Sequence, residues 1–263
     1  MCPTPFEMEY RIHYYDVNSQ KKASITSLLN YFNDIAFVQS EKMGVGIDYL
    51  KENKLAWVLL RWDVKVDRYP LFNEKIIIKT EPYFFKKFYA YRWFDIKDNN
   101  GLEIVNAKSQ WILINTDKKR PVKINDYIYK VYNVNSDKND VLPIEDPKEL
   151  SNVDLEKQFD VRYCDLDTNH HVNNVKYVSW ALEAIPLEII LNYNLHRLKV
   201  RYEKETTYGK TIKVLSQAVF VNKDIIYLQK IVDEDGNELC LLESFFKGGH
   251  NAYRILSNCP KCN

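Results

Sequence analysis

A chain of 263 residues with 46% hydrophobic and 14% aromatic content can bury a sizeable core, so a disordered protein is excluded. With 37 Lys and Arg against 36 Asp and Glu, the net charge is +1, which argues against a nucleic-acid binder relying on a basic face. No run reaches the ~18 consecutive apolar residues of a membrane span. The segment from Met1 to Tyr10 lacks the basic and apolar regions of a signal peptide, so a bacterial cytoplasmic location is expected.

Along the chain, Ile25, Leu28, Leu29, Phe32 and Ile35 recur at helical spacing and predict a helix. Four β-rich segments follow, Ala56–Val66, Lys75–Tyr83, Phe88–Asp95 and Leu102–Asn115, with Asp98-Asn-Asn-Gly101 as a hairpin turn signal. The stretch from Asp117 to Glu156 is polar and carries Pro121, Pro143 and Pro147, so it reads as a linker with short helical pieces. Val175, Val178, Leu182 and Ile185 then repeat the helical spacing. Leu198–Glu205, Thr211–Val221, Ile225–Asp233 and Leu239–Phe246 repeat the strands, again with a turn at Asp233-Glu-Asp-Gly236.

The chain therefore reads as an internal duplication. Ile12–Asn18 resembles Val161–Asp167 at an offset of 149, and a one-residue slip lays the first helix over the second. A helix followed by antiparallel strands, given twice, is an α+β layer architecture. The expected organisation is an N-terminal half over 1–120, a linker over 121–156 and a C-terminal half over 157–263.

Five cysteines, Cys2, Cys164, Cys240, Cys259 and Cys262, form an odd count without a secretory signal and point to reduced thiols. Cys259-Pro-Lys-Cys262 has the spacing of half a zinc site, but no second pair accompanies it, so no metal is expected. Cys164 reads as a packing residue. With 7 Gly and no phosphate-binding glycine loop, no cofactor is expected.

The densest chemistry lies from Asp165 to Asn174, directly before the second helix. An extended entry to that helix would turn Asp167, Asn169 and His171 to one side. The helix N-terminus adds N–H groups suited to a developing oxyanion, here those near Val172–Asn174. The plain alternatives are that Asn173 or Asn174 only caps the helix and that Asp165 or Asp167 only holds a turn. At the common offset Asn18, Gln20 and Lys22 face Asp167, Asn169 and His171, so only the C-terminal half has the acid and the imidazole.

Asp167-x-Asn169-x-His171-Val172-Asn173-Asn174-Val175-Lys176-Tyr177, followed by Trp180 and Leu182-Glu183, resembles the signature of the acyl-acyl carrier protein thioesterases of plant plastids and bacteria. Tyr202 and Glu205 match a second family pattern, Tyr-x-x-Glu-Cys, in which Thr206 stands here at the Cys position. A thiol there cannot be needed if this chain is active.

The resemblance implies a tandem double hotdog, each half a long helix wrapped by a curved antiparallel sheet. It implies hydrolysis of fatty acyl-acyl carrier protein to free fatty acid and holo-acyl carrier protein, which ends fatty acid synthesis. Thioester hydrolysis needs a positioned water, a base and oxyanion donors. Asp167, Asn169, His171 and Glu205 are the catalytic candidates, with Glu205 as base for water and Asp167 holding the constellation. Asn173, Asn174, Trp57 and Thr206 are candidates for substrate binding. Met43, Gly44, Ile47, Leu50, Trp57, Leu59 and Trp62 are candidates for an apolar tunnel in the N-terminal half, the acyl-chain receptor.

The implied partner is acyl carrier protein bearing a phosphopantetheine-linked acyl chain. Lys21-Lys22, Lys86-Lys87 and Lys118-Lys-Arg120 are candidate docking patches. A homodimer is compatible with the reading. An acyl-CoA thioesterase and a non-catalytic acyl-binding hotdog module are the alternatives.

Overall fold

A computed structural model of the chain describes residues 4–135 and 143–248. Two compact units divide between Ile144 and Glu145.

In the first unit, β1 (Phe6–Arg11) precedes α1 (Ile25–Lys42) and α2 (Ile47–Glu52). Then come β2 (Leu55–Val66), β3 (Lys75–Lys86), β4 (Tyr89–Lys97), β5 (Glu103–Asn115), a two-residue β6 (Arg120–Pro121) and α3 (Asp126–Val131). The strands pair antiparallel in the order β1-β3-β4-β5-β2, with β6 beside β5.

Ser24 starts α1 by accepting from the Ser27 N–H with its side chain. The apolar spacing seen in the sequence buries Leu28, Leu29, Phe32 and Ile35 completely. Phe32 packs on Trp62 of β2 and Phe94 of β4, with ring centroids 5.9 and 4.9 Å away. Truncating Phe32 to Ala would cost about 3–5 kcal/mol.

The expected linker is only partly one. Ile124, Ile128, Tyr132 and Val134 are buried with Val45, Phe85 and Leu113 in the core of the first unit. Asn125 caps α3, and Ile128 and Tyr132 stand four residues apart on one face. Polar neighbours hide that short apolar period in the sequence.

The second unit holds β7 (Leu155–Asp160), α4 (Asn174–Glu183), α5 (Leu187–Asn192), β8 (Tyr193–Tyr202), β9 (Thr211–Val221), β10 (Asp224–Val232) and β11 (Glu238–Gly248). β7 thus begins inside the expected linker. The antiparallel order β7-β9-β10-β11-β8 reproduces that of the first unit. α4 packs on β10 and β11 and stops at Glu183, because Pro186 disfavours helical backbone just before it.

The duplication needs no slip. At the offset of 149, buried Leu28, Leu29, Phe32, Ile35 and Ala36 correspond to buried Tyr177, Val178, Ala181, Ala184 and Ile185. The sequence pattern slipped because it weighted Leu182, which is only half-buried, above the small Ala181 and Ala184. Each unit is a helix-on-sheet hotdog. No helix among the described residues is long and apolar enough to cross a membrane.

Candidate active site

The loop before α4 is not extended. Asp167 Oδ1 accepts from the N–H of Asn169 at 2.8 Å and of His171 at 3.2 Å. The Asp167 N–H donates to the His171 carbonyl at 2.7 Å, and His170 adopts a left-handed φ of 62°. This is a tight turn held by an aspartate side chain, closed by a bridge between Leu166 and Val172. The alternation expected for Asp167, Asn169 and His171 therefore does not apply: hydrogen bonding from Asp167 to its own backbone wins over extension.

A buried carboxylate anchors the turn. Asp165, at 0% exposure, accepts from the Arg162 N–H, Nε and Nη2 at 2.9–3.1 Å, with Lys176 Nζ at 3.6 Å. Burial raises its pKa, but the Arg162 side-chain and backbone hydrogen bonds and the two cations outweigh burial and hold the carboxyl below its ordinary range.

The structure brings His171 and Glu205 together: His171 Nδ1 lies 3.1 Å from Glu205 Oε2, with the imidazole 37% and the carboxylate 61% exposed. Glu205 is in a loop, not on a strand as expected. β8 ends at Tyr202, and the N–H groups of Glu203 and Lys204 both turn to the Leu239 carbonyl. The loop is fastened to the helix entry where the Val172 N–H donates to the Thr206 carbonyl at 2.9 Å. Thr206 is buried at 7% exposure and stands behind the pair as part of that fastening.

Asn173 is the N-cap of α4, its side chain accepting from the Val175 N–H at 2.9 Å, and its own N–H donates to the Asp165 carbonyl. The N–H groups of Val172 and Asn173 are thus occupied and cannot serve an oxyanion, contrary to expectation. Of the three N–H groups considered, only that of Asn174 lacks an acceptor among the described residues. The Asn174 carbonyl accepts from the Tyr202 hydroxyl at 3.0 Å. The Asn169 side chain is exposed and has no hydrogen-bond partner among the described residues.

Tyr177 of α4 lies beneath this surface. Burial first, then the nearby Cys240, Glu205 and Asp167, push its phenol well up. Burial likewise pushes up the Cys240 thiol, which disfavours its thiolate. Cys164 is exposed, not packed, because it sits on a short 3-10 turn and not on an alternating strand. Cys259 and Cys262 lie outside the described residues.

The first unit contains the same turn with different chemistry. Asn18 Oδ1 accepts from the N–H of Gln20 at 3.0 Å and of Lys22 at 3.2 Å, and Lys21 has a φ of 59°. The Ala23 N–H donates to the Pro70 carbonyl at 2.8 Å, as Val172 does to Thr206. Lys22 and Tyr69 therefore occupy the places of His171 and Glu205.

Trp57 belongs to the first unit, where it lines a pocket of about 480 Å³, partly open to solvent, with Ala36, Phe37, Ser40 and Arg92. Of the seven tunnel candidates only Trp57 lines it. Trp62 and Leu59 are core, and Ile47 is 56% exposed. Arg92 was missed in the sequence because a lone cation in an aromatic strand reads as surface.

The profile of the acyl-ACP thioesterase N-terminal domain matches residues 3–132, and that of the acyl-ACP thioesterase C-terminal domain matches residues 148–248. The chain belongs to the acyl-ACP thioesterase family. It is 25% identical over 260 residues to the chloroplastic oleoyl-acyl carrier protein thioesterase of Coriandrum sativum, covering 91% of this chain and 69% of that protein. It is 29% identical over 230 residues to the chloroplastic palmitoyl-acyl carrier protein thioesterase of Arabidopsis thaliana, covering 80% of this chain but only 54% of that protein. The 12:0-ACP thioesterase from Umbellularia californica shares the fold, with a TM-score of 0.81 at 22% identity, covering 93% of this chain and 94% of that one.

Proposed function

We propose that this thioesterase hydrolyses fatty acyl-acyl carrier protein, and that the contact between His171 and Glu205 carries the chemistry. An imidazole donating Nδ1–H to a carboxylate is fixed in one tautomer, with Nε2 left as a base. His171 Nε2 takes a proton from water as the oxygen attacks the thioester carbonyl. The C–S bond then breaks, and the phosphopantetheine thiolate takes that proton from His171. Fatty acid and holo-acyl carrier protein leave.

This assignment moves the base from Glu205 to His171 and makes Glu205 its orienting partner. The Asn169 amide and the Asn174 N–H are the oxyanion donors. Asp167 holds the turn with Oδ1, and in this reading its carboxylate charge serves the site. The pocket containing Trp57 receives the hydrocarbon chain in this reading.

Lys21, Lys87 and Lys119 stand at left-handed turn positions of the first unit, where they suit an acidic carrier protein. The test is hydrolysis of the carrier-protein and CoA thioesters of one acyl chain, followed by thiol release. Faster turnover of the carrier-protein thioester, with a rate that falls as salt rises, supports the reading. Equal rates favour an acyl-CoA thioesterase, and no release from either thioester overturns the enzyme.

A further inference from the structure

The pocket of the first unit contains a buried cation with no carboxylate partner among the described residues. Arg92 on β4 lines the pocket and is 9% exposed, whereas Phe37 on the same pocket is 49% exposed. Arg92 Nη1 donates to Gln39 Oε1 of α1 and, at 3.0 Å, to Thr80 Oγ1 of β3. Its guanidinium carbon lies 5.6 Å from the centre of the Tyr132 ring. All these partners are neutral, and no carboxylate pairs with Arg92 among the described residues.

A buried guanidinium stays charged, and burying an unpaired charge is costly unless an anion meets it. The fold itself does not demand the charge. In the second unit the comparable bridge from sheet to helix is made by the neutral Gln229, whose Nε2 donates to the Ala181 carbonyl at 2.7 Å and to Ser216 Oγ at 3.0 Å. The rest of the lining is mostly apolar and aromatic, with Ala36, Trp57, Phe85, Ala90 and Trp111 beside the polar Ser40.

We infer that this pocket binds an aliphatic carboxylate, with the hydrocarbon chain along Trp57 and Trp111 and the carboxylate on Arg92. Guanidinium and carboxylate match in charge and in fork geometry, and a desolvated pair of this kind is strong. The carboxylate has two sources: a free fatty acid, or the far end of a dicarboxylic acyl thioester. The inference rests on the reading of this pocket as a hydrocarbon receptor, not on the thioester chemistry at His171.

The test is calorimetric titration of the full chain with sodium decanoate and with decanol, below their aggregation limits. The variants are Arg92→Gln, which copies the neutral bridge of the second unit, Arg92→Lys, which keeps the charge, and His171→Ala. Thermal melts verify folding. Decanoate is expected to bind at least ten-fold tighter than decanol. That preference disappears in Arg92→Gln, survives in part in Arg92→Lys and is unchanged in His171→Ala.

A second arm compares hydrolysis of decanoyl and ω-carboxydecanoyl thioesters. If decanoate binding does not respond to Arg92 but ω-carboxydecanoyl turnover does, the anion belongs to the substrate and the anchor stands. If decanol and decanoate bind equally, and neither carboxylate responds to Arg92→Gln, the anion site is overturned while the hydrocarbon receptor stands. If neither probe binds, the receptor reading fails with it.

Discussion

The Val172 N–H donates to the Thr206 carbonyl at 2.9 Å, and this one backbone bond sets Glu205 beside His171. The pair itself is too exposed to hold the loops together, since such ion pairs contribute ~0–1 kcal/mol. The turn at Asp167 and the fastening at Thr206 bring two segments more than thirty residues apart in sequence to a 3.1 Å contact.

Asp167 is expected to be replaceable in folding but not in chemistry. Asn18 builds the same turn in the first unit with an amide oxygen, so the carboxylate charge is surplus to the turn. Asp167→Asn is expected to change unfolding free energy by less than ~0.5 kcal/mol and to lower kcat by at least ~100-fold. Denaturant titration and a thiol-release assay check the two halves. Full activity in the variant would leave Asp167 with the turn alone.

Thr206 contributes its backbone. Thr206→Ala keeps the carbonyl that binds Val172, so kcat is expected to stay within a few-fold, with a stability loss of about 1 kcal/mol for a small buried side chain. Steady-state kinetics and a melt on the same sample measure both. A large kcat loss with an unchanged melt would bring the hydroxyl into the chemistry.

Asp165 makes stability depend on acid. Its carboxyl is held below the ordinary value, so it binds fewer protons folded than unfolded near its titration. Its stabilisation is complete above the unfolded pKa of ~3.9 and is lost as pH falls through the lower folded value. Asp165→Asn is expected to lose about 1–3 kcal/mol at pH 7, because it disrupts the Arg162 hydrogen bonds, and less at pH 3. Denaturant melts at the two pH values test the sign, and an equal loss at both would contradict it.

Asn173 is a helix cap. Asn173→Ala is expected to cost about 1 kcal/mol of stability through the lost bond to the Val175 N–H. Restoration by Asn173→Ser, the residue type that caps α1 at Ser24, separates capping from substrate contact.

Much of this molecule was legible in the sequence. Both long helices, eight of the main strands and the duplication follow from periodicity and turn residues. β1 and β7 were missed because each is a short, polar edge strand: Phe6–Arg11 alternates apolar and charged residues over only six positions, and Leu155–Asp160 has only Leu155 and Phe159 as apolar residues. Four candidate site residues stood in two motifs, but their geometry was not readable. Whether Asp167 starts an extended segment or a turn depends on two backbone N–H groups that sequence does not display. The loop position of Glu205 depends on a β8 end set across the sheet by Leu239. Arg92 gave no signal, because its neutral surroundings come from α1, β3 and α3, far apart in sequence.

The most direct test is a double-mutant cycle on carrier-protein thioester hydrolysis with His171→Ala, Glu205→Gln and the two combined. On the proposal that the pair acts as one unit, each single change is expected to lower kcat by ~100-fold or more, and the double variant to be hardly worse than His171→Ala alone. Wild-type turnover in either single variant, or losses that simply multiply in the double, would contradict it.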